Sequence, residues 1–105
     1  MEFSTTPDIA GKTITTNLGI VAGNVVQSKH VGRDLMAGLK SIVGGEISGY
    51  TEMLADARDI AIARMVAEAK KRNADAIVNV RFTTSSIMNS ASEILAYGTA
   101  VTLQK

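Results

Sequence analysis

One group of three acidic residues and a single histidine are the candidates for metal binding in this 105-residue sequence. Glu52, Asp56 and Asp59 recur at i, i+4 and i+7, so a helix would carry the three carboxylates on one face, where they could bind a hard cation. A solvated helix face is the simpler interpretation. His30 is the only histidine and there is no cysteine, so a metal site on His30 would need copies of it from several subunits.

Arg58 is the residue most unusual for its position. On a helical wheel it lies among apolar residues such as Leu54 and Ile62, and a guanidinium buried there would need a partner. The structural hypothesis pairs Arg58 with a carboxylate such as Glu46 or Glu93, or with loop carbonyls. The functional hypothesis has Arg58 hold an anion at a junction between subunits.

The glycine-rich segment 44–49 precedes the same helix and could present free N–H groups to an anion. It lacks the Gly-Lys-Ser/Thr of a P-loop and the spacing of a nucleophile elbow, and Ser48 has no obvious base, so a turn is the better interpretation. An enzyme would need a composite intersubunit site built on Arg58, Glu46 and Ser48, and this remains the alternative to a binding function.

One long helix positions most of these residues. The sequence predicts a helix from about residue 49 to residue 73, because Ser48 can act as N-cap and a basic cluster, Lys70 to Arg72, precedes Asn73 at the negative end of the helix dipole.

This helix has two apolar faces. The broader face, predicted to pack on a sheet, comprises Leu54, Ala61, Ile62, Met65, Val66 and Ala69. A shallower strip comprises Met53, Ala57, Ile60 and Ala67. Because one sheet cannot cover both, the strip predicts a contact with another subunit. The alternative is that its alanines reflect helix propensity alone.

Strands are predicted on both sides of the helical region, over residues 12–16, 18–26, 74–84 and 93–103, with a loop at residues 85–92. Gly19 and Gly23 indicate a bulge, a bend or a close backbone contact in the second strand. The alternation in the third strand puts four residues on one face: Ala76, Val78, Val80 and Phe82. The last strand alternates likewise, through Leu95, Tyr97, Thr99, Val101 and Leu103.

A short amphipathic helix is predicted over residues 30–43, which completes the order β-β-α-α-β-β. Helices on one side of a largely antiparallel sheet make a two-layer α+β domain. The length predicts a single domain, residues 1–105.

Composition excludes several classes of function. The net charge of +1 and the 4% aromatic content argue against nucleic-acid binding. The absence of cysteine removes disulfides and thiolate metal sites. With no signal peptide and no apolar run of about 20 residues, the expected location is the cytoplasm, with no membrane partner.

Several short motifs, in order and spacing, resemble the YbjQ-like family nearly end to end. They are Ser4–Pro7, Arg33–Leu35, Gly44–Glu46 with Tyr50, Ala57–Arg58, Ala74–Val78 and Tyr97–Val101. The chain departs from similar members at Gly23-Asn24, where Gly-Glu is frequent, so one carboxylate is missing.

The resemblance implies a dodecin-like α+β subunit in a homopentamer, with a heavy-metal-binding label and no established reaction. We therefore expect a non-enzymatic domain that binds a small ligand or metal ion at subunit junctions, with no resident cofactor beyond a weakly bound divalent metal. Oxygen ligands and methionine thioethers would have to replace thiolates in any metal site.

Overall fold

The computed structural model describes residues 1–28, 42–43, 46–88 and 91–105. The elements in chain order are β1 (Glu2–Phe3), β2 (Ile14–Ser28), β3 (Ile42–Val43), β4 (Glu46–Ile47), α1 (Ser48–Lys71), β5 (Ala76–Met88) and β6 (Ala91–Leu103). A four-stranded sheet has the order β1-β5-β6-β2, with β1 parallel to β5 and the other pairs antiparallel. β3 and β4 form a separate ladder. The prediction of an α+β fold is confirmed.

The long helix has almost the predicted bounds, since α1 runs from Ser48 to Lys71. Its end is marked by Asn73, whose φ of 59° is left-handed. The N–H of Asn73 donates to the carbonyl of Lys70 at 3.0 Å and the N–H of Ala74 to that of Ala69 at 3.1 Å. These two bonds form a Schellman motif, which satisfies the last carbonyls of the helix.

The two predicted N-terminal strands are one continuous strand, β2, of 15 residues. A register shift between Asn17 and Ile20 marks a bulge, and Gly19 lies within it at a φ of 93°. Gly23 has a different reason to be glycine. A Cβ there would lie 2.2 Å from the carbonyl oxygen of Ala61, so α1 and β2 touch backbone to backbone.

The main core lies between α1 and the sheet. The helix contributes Ala57, Ala61, Met65 and Ala69, all fully buried. Ala57 was predicted to lie on the shallower strip, and this is wrong. It lies four residues before Ala61, on the same side of the helix, and the buried face extends to it. Of that strip, Met53 is half-buried, and Ile60 and Ala67 are exposed. Of the predicted sheet-facing residues, Ile62 and Val66 pack at the margin of the core, but Leu54 is exposed.

The predicted loop at residues 85–92 is wrong for the described residues, because β5 continues to Met88 and β6 begins at Ala91. Residues 89 and 90 lie outside the described residues. Ser85 pairs with Glu93 and Ser86 with Ser92 in this long hairpin. The small polar residues that are typical of loops here form polar strand positions, outside the main core.

The predicted alternation of β5 is broken at Asn79. A register shift between Val78 and Arg81 coincides with a φ of 54° at Asn79. As a result Val80 shares the helix-facing core with Ile77, while Val78 belongs to a cluster on the other face. The prediction that Ala76, Val78, Val80 and Phe82 share one face is therefore wrong across the bulge.

The N-terminal segment covers part of the outer sheet face, the face away from α1. Ile9 packs there with Ala76, Val78 and Val101, and Ile14 and Leu103 border this cluster. The segment runs along β5, where the N–H of Val80 donates to the carbonyl of Ser4 at 2.9 Å and the N–H of Asn79 to that of Thr6 at 3.0 Å.

Most of the predicted short helix at residues 30–43 lies outside the described residues. Its last two residues, Ile42 and Val43, are in strand β3 rather than in a helix, because they pair with Ile47 and Glu46.

Candidate functional site

A cleft of about 320 Å³ opens between the N-terminal half of α1 and the sheet. The helix side is formed by Thr51, Leu54 and Arg58. The sheet side is formed by Phe82 and Thr84 of β5 and Ile94 of β6. The size is at the low end of the range for small-molecule sites, which is about 300–1,000 Å³.

Register and helix position explain why the cleft exists. Thr84 pairs with Ile94 across the strands, so both side chains stand on the same face of the sheet. At Gly23 the helix touches the sheet backbone to backbone, next to Ala61 and Met65. Toward the N-terminus of α1 the contact with β5 is looser. Ala57, one turn before Ala61, is still fully buried, but Leu54 is 41% exposed and Phe82, on the facing strand, is 45% exposed.

Arg58 lies on the side of α1 that the helical wheel predicts, but its side chain is exposed rather than buried. Its position on the wheel points toward the sheet, and the cleft provides the space that keeps its guanidinium in contact with solvent. Within the described part of the chain it makes no hydrogen bond or ion pair.

Glu93, one predicted partner of Arg58, is engaged elsewhere. Its Oε2 accepts a hydrogen bond from Asn24 Nδ2 at 3.0 Å, and its Oε1 lies 3.5 Å from the Ser85 hydroxyl. Glu93 precedes Ile94, which faces the helix, so the Glu93 carboxylate lies on the outer face of the sheet. The pairing of Arg58 with Glu93 is therefore wrong.

Glu46 and Ser48 are placed by backbone only. Glu46 lies in β4, opposite Val43, and Ser48 is the first residue of α1. The turn residues Gly44 and Gly45 lie outside the described residues, as does His30. The side chains of Glu46 and Ser48 lie outside what the structure describes, so their association with Arg58 stays a prediction.

The carboxylates proposed for a metal site, Glu52, Asp56 and Asp59, are all exposed on α1. Nowhere in the described residues do three or more His, Cys, Asp or Glu side chains come close enough to share a metal ion. No helix among the described residues is both long enough and apolar enough to cross a membrane.

Sequence reasoning missed the sheet side of the cleft, which is Phe82, Thr84 and Ile94. The signal for Thr84 and Ile94 was absent, because a strand partner cannot be read from one chain without its register. A signal did exist on the helix, since a charged residue in the middle of an apolar stripe indicates that the stripe is not closed there.

Comparison with known proteins gives matches that cover the whole chain or nearly all of it. The sequence matches the YbjQ family, described as "Putative heavy-metal-binding", over residues 1–104. The UPF0145 proteins of Psychromonas ingrahamii and Colwellia psychrerythraea are each 66% identical over 105 residues, which is 100% of this chain and of theirs. UPF0145 protein DET1617 of Dehalococcoides mccartyi is 56% identical over 99% of this chain and 100% of that one.

A solved structure supports the fold. The crystal structure of a DUF74-family protein of unknown function from Pediococcus pentosaceus superposes with a TM-score of 0.66, over 99% of this chain and 98% of that one. At 18% identity this similarity shows the shared fold alone. From the family match and the full-length relatives, the chain belongs to the YbjQ family.

Proposed function

We propose that this protein is a non-enzymatic, homo-oligomeric domain that binds a small ligand in the Arg58 cleft, at a junction between subunits. The observation that carries the proposal is the half-covered sheet. α1 packs on β2 and β6 but leaves the helix-facing side of β5 beyond Val80 open, with Phe82 45% exposed. A pocket that is apolar, concave and open on one side is the usual form of a small-molecule site.

The shape of the chain supports assembly. Its Cα radius of gyration is 16.8 Å, whereas a compact domain of this length has about 13 Å. Exposed apolar side chains also lie on both β2 and β5, with Ile20 72% exposed and Val26 53% on β2, and Ile87 49% on β5. Single exposed apolar residues are ordinary, but several on one thin, elongated subunit favour a partner surface.

The partner is a second copy of the chain, and the assembly is a pentameric ring. A ring of five cannot be built from self-complementary contacts alone, so each subunit needs two different patches that match each other. The chain offers two, which are the helix strip of Met53, Ile60 and Ala67 and the uncovered part of β5. Packing of the strip of one subunit over the open strand of the next would place the cleft at the junction.

The chemistry of the lining favours binding over reaction. Among the described residues, the cleft is lined by one guanidinium, two threonines and three apolar side chains. None of these is an ordinary general base at neutral pH. A composite enzyme site would require the Glu46 carboxylate to reach the cleft, and a substrate-dependent turnover lost on Glu46→Gln would favour that alternative.

Light scattering tests the assembly. We expect a mass of about five times the 11.0 kDa of the chain. Ile60→Glu should reduce this mass, because a charge buried in the contact has no partner. Ala10→Glu adds the same charge at an exposed site on the N-terminal segment and should leave the mass unchanged. A monodisperse 11.0 kDa species would contradict the proposal.

A fluorescent probe tests the cleft. The uncharged dye N-phenyl-1-naphthylamine should bind the assembled protein with one site per chain, and Phe82→Lys should abolish the signal because it places a charge in the apolar wall. Lack of any saturable binding, or binding untouched by Phe82→Lys, would contradict a ligand site in the cleft.

A further inference from the structure

The cleft is positively charged because of Arg58, and this charge indicates a class of ligand that the family description does not name. Residues three and four positions from Arg58 on α1 are its neighbours on the helix surface. They are Leu54, Ala55, Ala61 and Ile62, and none of them is charged. Arg58 therefore has no partner along its own helix. Across the cleft it faces Phe82, Thr84 and Ile94, which offer no carboxylate.

Two other arginines, Arg64 within α1 and Arg72 directly after it, differ from Arg58. Arg64 donates from Nη1 to the carbonyl oxygen of Asn24 at 2.6 Å, and Arg72 donates from Nη1 to that of Leu18 at 2.9 Å. Both tie the helix to β2. Arg58 has no such contact among the described residues, although it lies between the helix and the sheet. Structural tethering therefore explains Arg64 and Arg72 but does not explain Arg58.

The surroundings of Arg58 define what it can recognise. A guanidinium presents a planar fork of donors that matches the two oxygens of a carboxylate or a phosphate. The neighbouring walls of Leu54, Phe82 and Ile94 are apolar, so they favour a ligand whose remainder is apolar. The same positive charge disfavours a metal cation, and the lining contains no carboxylate, histidine or cysteine to bind one.

We propose that the ligand of the cleft is a small organic anion, whose carboxylate or phosphate group is held by Arg58 and whose apolar body packs against Phe82, Leu54 and Ile94. This inference rests on the proposed ligand site and adds its chemical class. The Thr84 hydroxyl stands on the same wall and can donate to a second oxygen of the anionic group.

A matched pair of dyes tests the charge. 1-Anilinonaphthalene-8-sulfonate and N-phenyl-1-naphthylamine share one aromatic body, and only the first carries an anionic group. We expect Arg58→Gln to weaken the sulfonate about tenfold, the loss of one charge-assisted contact, and to change binding of the neutral dye less than about twofold. Lys70→Gln removes the same charge from an exposed position on α1 outside the cleft and should leave both dyes unaffected.

Further variants and ligands extend the test. Arg58→Lys keeps the charge but loses the fork, so it should weaken the sulfonate by about threefold. Hexanoate should displace the sulfonate dye from the wild-type protein, whereas hexan-1-ol at the same concentration should not. These measurements also serve if Arg58→Gln fails to fold, which circular dichroism would show.

The failures of the two proposals are distinguishable. Equal weakening of both dyes by Arg58→Gln, or no effect on either, would overturn the anion assignment while the cleft remained a ligand site. Loss of the oligomer on Arg58→Gln, seen by light scattering, would also overturn it, because Arg58 would then pair with a carboxylate of the neighbouring copy. Lack of binding by either dye to the wild-type protein would instead contradict the ligand site itself.

Discussion

The sheet has two halves that differ in how its faces are covered. In the covered half, Ala76–Val80 with Ala96–Leu103, α1 packs on one face and the N-terminal segment on the other, so that Ile77, Ala96 and Ala100 are fully buried. In the open half, Phe82–Ile87 with Ser92–Leu95, Phe82 and Ile87 are 45% and 49% exposed.

The comparison separates stability from binding. Buried apolar area supplies most of the folding free energy, at about 25 cal/mol per Å², and this area is concentrated in the covered half. The open half contributes less to the fold of one chain, yet it forms the sheet side of the cleft, opposite Arg58, which has no hydrogen bond or ion pair among the described residues. Such a division is typical of proteins in which a rigid scaffold presents a less stable binding region.

The largest effect is expected at the closest contact of helix and strand. A Cβ at Gly23 would lie 2.2 Å from Ala61 O and 2.3 Å from Met65 N, and these are backbone atoms that can move only with α1. Gly23→Ala should lower the free energy of unfolding by about 3 kcal/mol or more. Gly11→Ala is the control, since its Cβ would meet nothing within 4 Å.

The control has its own small cost, because Gly11 has a φ of 75°. This left-handed conformation should make Gly11→Ala cost about 1 kcal/mol. Urea denaturation followed by circular dichroism measures both variants. Similar losses at the two glycines would show that α1 shifts easily and that the covered half is not rigid.

A second test compares the two halves along one helix. Met65→Ala leaves a cavity in the fully buried core and should cost about 3 kcal/mol. Leu54→Ala, at the exposed wall of the cleft, should cost under about 1 kcal/mol in a single chain.

The same two variants can also be compared at different protein concentrations. If a neighbouring subunit covers Leu54, the unfolding midpoint of Leu54→Ala should lie furthest below that of the wild type at high protein concentration, and the gap should shrink on dilution, because assembly then stabilises the wild type less. The loss at Met65→Ala should persist at every concentration. A Leu54→Ala loss independent of concentration would move the subunit contact away from the cleft.

A smaller effect is expected at the bulge that changes the register of β5. Asn79 has a φ of 54°, a conformation that asparagine and glycine tolerate and β-branched residues do not. Asn79→Val should cost about 2 kcal/mol, and Asn79→Gly should be within about 0.5 kcal/mol of the wild type. Thermal unfolding measures both, and equal stability of the two variants would show that the bulge can shift.

The smallest effect is expected for divalent metal ions. Calorimetry of the oligomer with a panel of divalent ions should show only weak binding, with hard cations preferred if Glu52, Asp56 and Asp59 take part. Asn24→Asp is the matched variant, because it places a second carboxylate beside Glu93, whose Oε2 lies 3.0 Å from Asn24 Nδ2. This variant should gain affinity for Ca²⁺ or Mn²⁺.

Elemental analysis of untagged protein as purified accompanies this titration. A stoichiometric transition metal that survives dialysis and is lost on His30→Ala would contradict the weak-binding expectation and would favour a site on His30. It would leave the Arg58 cleft untested, since none of the residues lining that cleft is a metal ligand of the usual kind.

Local signals predicted much of the fold. The bounds of α1 were close to the predicted ones because its periodicity and its ends are encoded in neighbouring residues, such as Ser48 and Asn73. The bulge at Gly19 and the close contact at Gly23 were two of the alternatives left open by glycines in a strand. The bounds of α1 and the bulge depend on residues close in sequence, whereas the contact at Gly23 was predicted only as a kind of contact, without its partner Ala61.

The rest depends on relations between distant segments. The hairpin of β5 and β6 runs through polar serines that local propensity assigns to a loop, and the change of face at Asn79 needs a conformation that no periodicity shows. The helical wheel identified Arg58 as unusual. The cleft beside it depends on how α1 lies relative to β5, and no local sequence pattern shows that. The chemical class of its ligand could therefore be inferred only from the structure, which shows the sheet residues that line the cleft.

The edge of β5 beyond Val80 is exposed, and this affects how the protein should be handled. β1 pairs only with Ala76 and Ile77, so beyond Val80 the only strand neighbour of β5 in the described ranges is β6. The run from Phe82 to Met88 carries no charge and no proline, which are the usual protections of an exposed edge. If the proposed assembly covers this edge, heating that separates the subunits should lead to cross-β aggregation rather than to reversible unfolding.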